Sequence, residues 1–148
     1  MQDKSSKQTS EPREVPLEEL SLDGLPPINL GALFMPPIWG PAHGIWITIL
    51  YYPAWLLADN LFYGVYEHPQ PLTVVLAIVA ALILAGVTIV FARASQVHAL
   101  HRWLSEGRTK QAYIKRQRAW AIGMGLLAAI FIVAATYYNL VIRPTMGA

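Results

Sequence analysis

Leu72 to Ala92 runs for 21 residues without a charge or a proline. As an α-helix rising 1.5 Å per residue it would reach about 31 Å, close to the hydrocarbon thickness of a bilayer. Its surroundings share the character. Between Ile28 and Ala92 the only charged side chains are Asp59 and Glu67. A water-soluble fold would have to enclose a core larger than 148 residues can wrap. The pattern predicts an all-α fold: a helical integral membrane protein with about three transmembrane helices and a cytoplasmic helical hairpin.

A second apolar stretch, Ala119–Ile142, predicts the last span, with Tyr137 and Tyr138 in an interfacial aromatic belt. The first span is harder to bound. Residues 28–62 are apolar but broken by Pro36, Pro37, Gly40, Pro41 and Gly44. These breaks divide the region into a lead-in or re-entrant segment over 28–43, too short to cross, and a span over 44–62. Pro53 is expected to kink that span, because its ring crowds the preceding turn and removes a donor. Glu67, His68 and Pro69 form a short connection, so the flanking helices should be antiparallel neighbours. Pro71 suits the first turn of the next helix.

Residues 93–118 change character. Arg93, Arg102, Arg108, Lys110, Lys115, Arg116 and Arg118 face one acid, Glu106, for a local charge of +6 where the whole chain carries +2. Val97, Leu100 and Leu104 recur at helical spacing, so the second span is expected to continue past the membrane as an amphipathic helix. Gly107 marks the turn, and the next helix should start near Thr109. Lys and Arg favour the cytoplasmic side of a membrane. The hairpin and the N-terminal segment are therefore expected inside a plasma membrane, the C-terminus outside. Residues 1–27 are polar and mixed in charge, and read as a disordered cytoplasmic tail with at most a short helix over residues 17–22. They contain no apolar run of signal-peptide type, so residues 28–148, the membrane domain, would drive insertion.

Few residues carry chemistry. There is no cysteine, which excludes disulfides, thiolate metal sites and cysteine nucleophiles. Asp59, followed by Asn60, sits near the outer end of the first span, where a carboxylate can reach water. His43 lies among Pro/Gly breaks. It could relay a proton, though a hydrogen bond to backbone freed by those breaks is the simpler expectation. His98 and His101 share a helical face but lack the further ligands that zinc requires. Asp59 and His68 are the sole acid–histidine pairing available to an enzyme acting on lipid. Phosphate-loop, HExxH and GxSxG patterns are all missing. No enzyme, metal or cofactor is expected.

The seven bases of the hairpin read as contacts to anionic headgroups, each worth about 1 kcal/mol near the surface. Trp103, Tyr113 and Trp120 interleave with them as interfacial aromatics, and no nucleic-acid partner is expected. Two stripes of small residues, Ala77/Ala81/Ala85 and Ala121/Gly125/Ala129, permit close helix packing on each other or on a neighbouring subunit.

Asn29-Leu-Gly31-Ala32-Leu-Phe34, followed by Pro37-Ile-Trp39-Gly40, resembles the opening of small uncharacterised bacterial membrane proteins. Trp103, Tyr113, Gln117, Trp120 and Gly123 resemble the basic segment that enters the last helix in such proteins. The resemblance covers about a third of the chain. It implies a bacterial plasma-membrane protein and no particular activity. The function expected is a non-enzymatic accessory, assembly or complex subunit acting through contacts with a membrane protein or a second copy. The alternative is a homo-oligomeric channel or small transporter component, lined by Asp59, Asn60, His43 or Asn139.

Overall fold

The structure, a computed structural model, describes residues 14–16 and 18–146. Among these the chain is all-helical, without strands, and two helices are long and apolar enough to cross a membrane.

Two short helices come first. α1, Leu30–Phe34, is capped by Asn29, whose Oδ1 accepts from the Ala32 N–H at 3.1 Å. It stops at Met35 because a residue before proline is pushed out of the helical region. Pro36 then opens α2, Pro36–Ala42, at a position where its missing N–H costs nothing. α2 ends in a Schellman motif. Ile45 N–H donates to Gly40 O (2.8 Å) and Gly44 N–H to Pro41 O (3.0 Å), with Gly44 at φ +83°. The expected lead-in segment, residues 28–43, thus holds two short helices and does not run on as one.

The span expected over 44–62 takes a different form. A 3₁₀ turn, Trp46–Leu50, leads into α3, Tyr51–Glu67. Pro53 is therefore the third residue of α3, just past the change from 3₁₀ to α-helix. In the first turn of an α-helix a residue's N–H has no partner within that helix, so proline is tolerated there.

A three-residue link leads to α4, Pro71–Ser105, with Pro71 at its first position. Its 35 residues extend about 52 Å, well beyond the apolar stretch. α3 returns along it, with Tyr51 near Phe91 at one end and Gly64 facing Thr73 at the other. Gly107, at φ +75°, makes the turn, and Thr109 caps α5, Lys110–Tyr137. α5 passes through a π-helical turn, Tyr138–Ile142, into α6, Arg143–Met146, as one rod of 37 residues.

The core lies at the hairpin end. Trp39, Ala32, Ala92, Ala99, Leu100, Leu104 and Tyr113 are buried together, and Trp120 and Phe91 pack on them. Leu100 and Leu104 point into this core as their spacing predicts, whereas Val97 is exposed. α1 bridges α4 and α5, which touch each other only slightly. Residues 18–27 correct the expectation of disorder through residue 27. Leu20 and Leu25 pack on the core, and Lys110 Nζ donates to Ser21 O at 2.6 Å. Two apolar anchors and a charge-assisted bond hold a segment whose average composition reads as disordered. Residues 1–13 and Leu17 lie outside the described residues, and of the short helix expected there only a turn at residues 18–20 is seen.

Candidate functional site

The hairpin end encloses a chain of buried side-chain hydrogen bonds. Gln96 of α4 donates through Nε2 to Pro26 O (3.2 Å) and accepts at Oε1 from Asn29 Nδ2 (2.8 Å). Asn29 Nδ2 also donates to Gln117 Oε1 of α5 at 3.0 Å, and that oxygen is 3.4 Å from Trp39 Nε1. Gln117 Nε2 in turn lies 3.4 Å from His43 Nε2, and His43 Nδ1 lies 2.8 Å from Trp39 O.

The chemistry of these partners sets the histidine tautomer. A carbonyl can only accept, so Nδ1 carries the proton. Nε2 is then free to accept from the Gln117 amide. Burial lowers the His43 pKa, with the Arg116 and Arg102 charges adding to the effect against the Trp39 carbonyl. The ring stacks on Trp39 at 3.8 Å and meets the Trp120 ring edge-on at 5.3 Å. Tyr113 is buried beside the network, and burial pushes its hydroxyl far above the usual phenol value. His43 thus makes the backbone bond expected of it, and also ends an ordered line of amide dipoles.

Two glycines make this packing possible. A Cβ on Gly40 would lie 2.1 Å from Thr48 Oγ1, so only glycine lets the 3₁₀ turn close on α2. A Cβ on Gly44 would lie 1.9 Å from Arg102 Nη1. The guanidinium rests there instead and donates to His43 O at 3.0 Å.

Arg102 opens onto a cavity of about 210 Å³ bordered by His43, Trp103, Glu106, Arg108, Tyr113, Arg116 and Gln117. Glu106 pairs with Arg108 (3.2 Å) and Arg102 (3.8 Å), while Arg108 and Arg116 lie 4.4 and 5.0 Å from the Trp103 ring. The other hairpin bases are placed elsewhere. Arg93 and Lys115 are exposed, Lys110 binds Ser21 O, and Arg118 borders a separate cavity near Gly24 and Leu25.

A second polar cluster sits at the far end. Asn139 Nδ2 donates to Asp59 Oδ1 (2.7 Å), and Arg143 Nη1 is 3.8 Å from Asp59 Oδ2. Arg143 also donates to Asn60 Oδ1 (2.7 Å) and to Asn139 Oδ1 (3.2 Å), and lies over the Tyr63 ring at 3.8 Å. Asp59 is therefore paired, and its partners are Asn139 and Arg143, not His68. No group of three or more His, Asp or Glu close enough to hold a metal occurs among the described residues, and His98 and His101 are exposed. Of the small-residue stripes, Ala77 and Ala81 border a groove with Phe62 and Val65 of α3, and Gly125 lies against Phe34. Ala85 and Ala129 are exposed, and Ala121 is half-buried.

Two residues central to these clusters do not stand out in the sequence. Gln96 falls four residues after Ala92 and four before Leu100, a polar residue on an otherwise buried face. Arg143 is the one base expected outside the membrane, an exception to charge bias that marks a partner at the depth of Asp59. The two stretches Asn29–Gly40 and Trp103–Gly123 meet in this site, through Asn29, Trp39 and Gln117. No protein family, curated relative or solved structure matches the chain.

Proposed function

We propose that this chain is an integral membrane protein of three spans that works as a non-enzymatic accessory or assembly subunit. The observation that carries this reading is the bareness of its long helices. None of the residues in the most apolar 18-residue stretch of α5 is buried, and 6% of the corresponding stretch of α4 is. In water that surface would far exceed the few hundred Å² that soluble monomers expose. Lipid and neighbouring helices are the solvents in which it is stable.

α3 alone reaches about 25 Å, and the 3₁₀ turn adds about 10 Å, so the two together match a bilayer. The charge bias of the basic hairpin supports a cytoplasmic α4–α5 turn and N-terminal segment, with the far end of α5 outside. This agrees with the bacterial plasma-membrane proteins that the sequence resembles. A role through contacts is favoured because the polar side chains answer one another. Among the described residues the only buried side-chain polar atom without a partner is the Tyr51 hydroxyl. Asp59 and Asn60 are engaged by Arg143 and Asn139, which takes away the free polar groups a conduction path would need.

Two measurements test the reading. Alkaline carbonate washing of membranes should leave the protein in the pellet, and recovery as a folded soluble monomer would overturn it. Crosslinking in native membranes, followed by mild detergent extraction, should capture a membrane protein or a second copy in stoichiometric yield. Substitution of Ala129 by Trp on the bare face of α5 should reduce that yield. A monodisperse chain that captures nothing would remove the accessory role and leave the membrane assignment standing.

A further inference from the structure

We propose that the cavity between His43, the last turns of α4 and the first turns of α5 is a binding site for a phosphate ester. Three guanidinium groups, Arg102, Arg108 and Arg116, border it against the single carboxylate of Glu106. The excess of two positive charges matches a phosphate monoester dianion, and the planar guanidinium fork suits phosphate oxygens.

The groups are held in place before any ligand arrives. Arg102 is fixed by the His43 carbonyl at 3.0 Å and fits only because residue 44 is glycine in the left-handed region. Trp103, the platform beneath Arg108 and Arg116, is itself held by its Nε1 donating to Thr109 O at 3.0 Å. Charge bias across a membrane needs basic residues on one side, but it does not need them to converge. Here three converge on one cavity while Arg93 and Lys115 do not border it. At about 210 Å³ the space is below the roughly 300 Å³ at which drug-sized pockets begin, which suits a phosphate with a short stem.

The ester could be a lipid headgroup or a soluble molecule, and the two share this chemistry. The test uses the full chain in phosphatidylcholine nanodiscs. One arm titrates glycerol 3-phosphate by calorimetry; the other compares capture of phosphatidic acid added to the bilayer. Arg108→Gln with Arg116→Gln should weaken binding at least about tenfold in one arm, while Arg93→Gln with Lys115→Gln, which removes equal charge outside the cavity, should change it less than about threefold. Binding in the soluble arm assigns a free ester, and binding only in the lipid arm assigns a headgroup. No binding in either arm, or equal losses in both double variants, overturns the site. Should the cavity variant lose its helical circular dichroism, phenylglyoxal labelling of the unaltered protein decides. Ligand must protect Arg108 and Arg116 but not Arg93, and equal labelling refutes the proposal. The lipid arm rests on the membrane reading, which carbonate extraction tests separately.

Discussion

The two ends of the molecule are built on different principles. At the hairpin end, α1, α2, α4, α5 and residues 18–28 close around Trp39, and the Asn29 amide donates two ways, to Gln96 on α4 and to Gln117 on α5, which reaches on to His43. At the far end, α5 is tied to α3 by one polar clasp of Asp59, Asn139 and Arg143, with apolar side chains exposed on either side. On the proposed membrane reading, the contrast teaches where each solvent would act. Water drives burial at the hairpin end and demands that every buried polar group be matched. Between helices that face lipid, as proposed for the far end, that drive would be weak, so a few polar contacts would define how the helices meet.

The contrast can be broken most severely at Trp39, which is fully buried. Trp39→Ala should cost about 3–5 kcal/mol, read as a lowered unfolding midpoint in micelles, because it opens a cavity between α1, α4 and α5. Asn29→Leu should cost about 3 kcal/mol. It strands the Gln96 oxygen, leaves the Gln117 oxygen only the longer bond from Trp39, and uncaps α1, an unpaired buried group being worth about 1–3 kcal/mol. Hydrogen exchange should then rise at residues 92–104 and 113–120 together, since one side chain links them. Exchange confined to α1 would show the network to be dispensable.

At the far end the effect should be smaller and local. The Asp59 and Arg143 side chains are about one-third exposed, 34% and 27%. Arg143→Gln should therefore cost an amount between the ~1 kcal/mol of an exposed pair and the ~3–5 kcal/mol of a buried one. Protection at residues 92–104 should be unchanged. Asp59→Asn in the same background should add little, because the pair is already broken.

The smallest effect is the pH dependence at His43. Its folded-state pKa lies below the ordinary 6.5 because burial disfavours the cation. The unfolded chain therefore takes up the proton first as pH falls. The contribution is complete above pH 6.5 and is lost progressively below it, down through the folded-state value, at no more than one proton per molecule. A protonated Nε2 would also point a donor at the Gln117 amide donor, which cannot turn over without facing Asn29 and Trp39 donors. Stability measured from pH 8 to pH 5 should fall on the acid side, and His43→Gln should flatten that part of the profile.

Much of this architecture is readable along the chain. The uncharged run Leu72–Ala92, the glycine at 107 and the cap at Thr109 each act through near neighbours, so α4, its turn and α5 follow from local rules. Pro53 is harder to place by the same rules, since its effect depends on whether it falls inside a helix or in its first turn. That depends in turn on where the 3₁₀ turn closes against α2, a contact made by Gly40 and Thr48.

What the sequence could not reveal is which distant polar groups answer one another. Asn29 and Gln117 are 88 residues apart, and Asp59 and Asn139 are 80. Composition and periodicity describe a side chain's own helix and are silent about the helix opposite. Charge bias could put seven bases on one hairpin, but only the fold, with Arg102 against Gly44 and Arg108 and Arg116 at the Trp103 ring, gathered three of them around a cavity. Local sequence set the helices and their ends, because hydrogen bonds within a helix reach four residues. The tertiary structure chose the polar pairings, because a buried donor must find its acceptor wherever the fold brings one near.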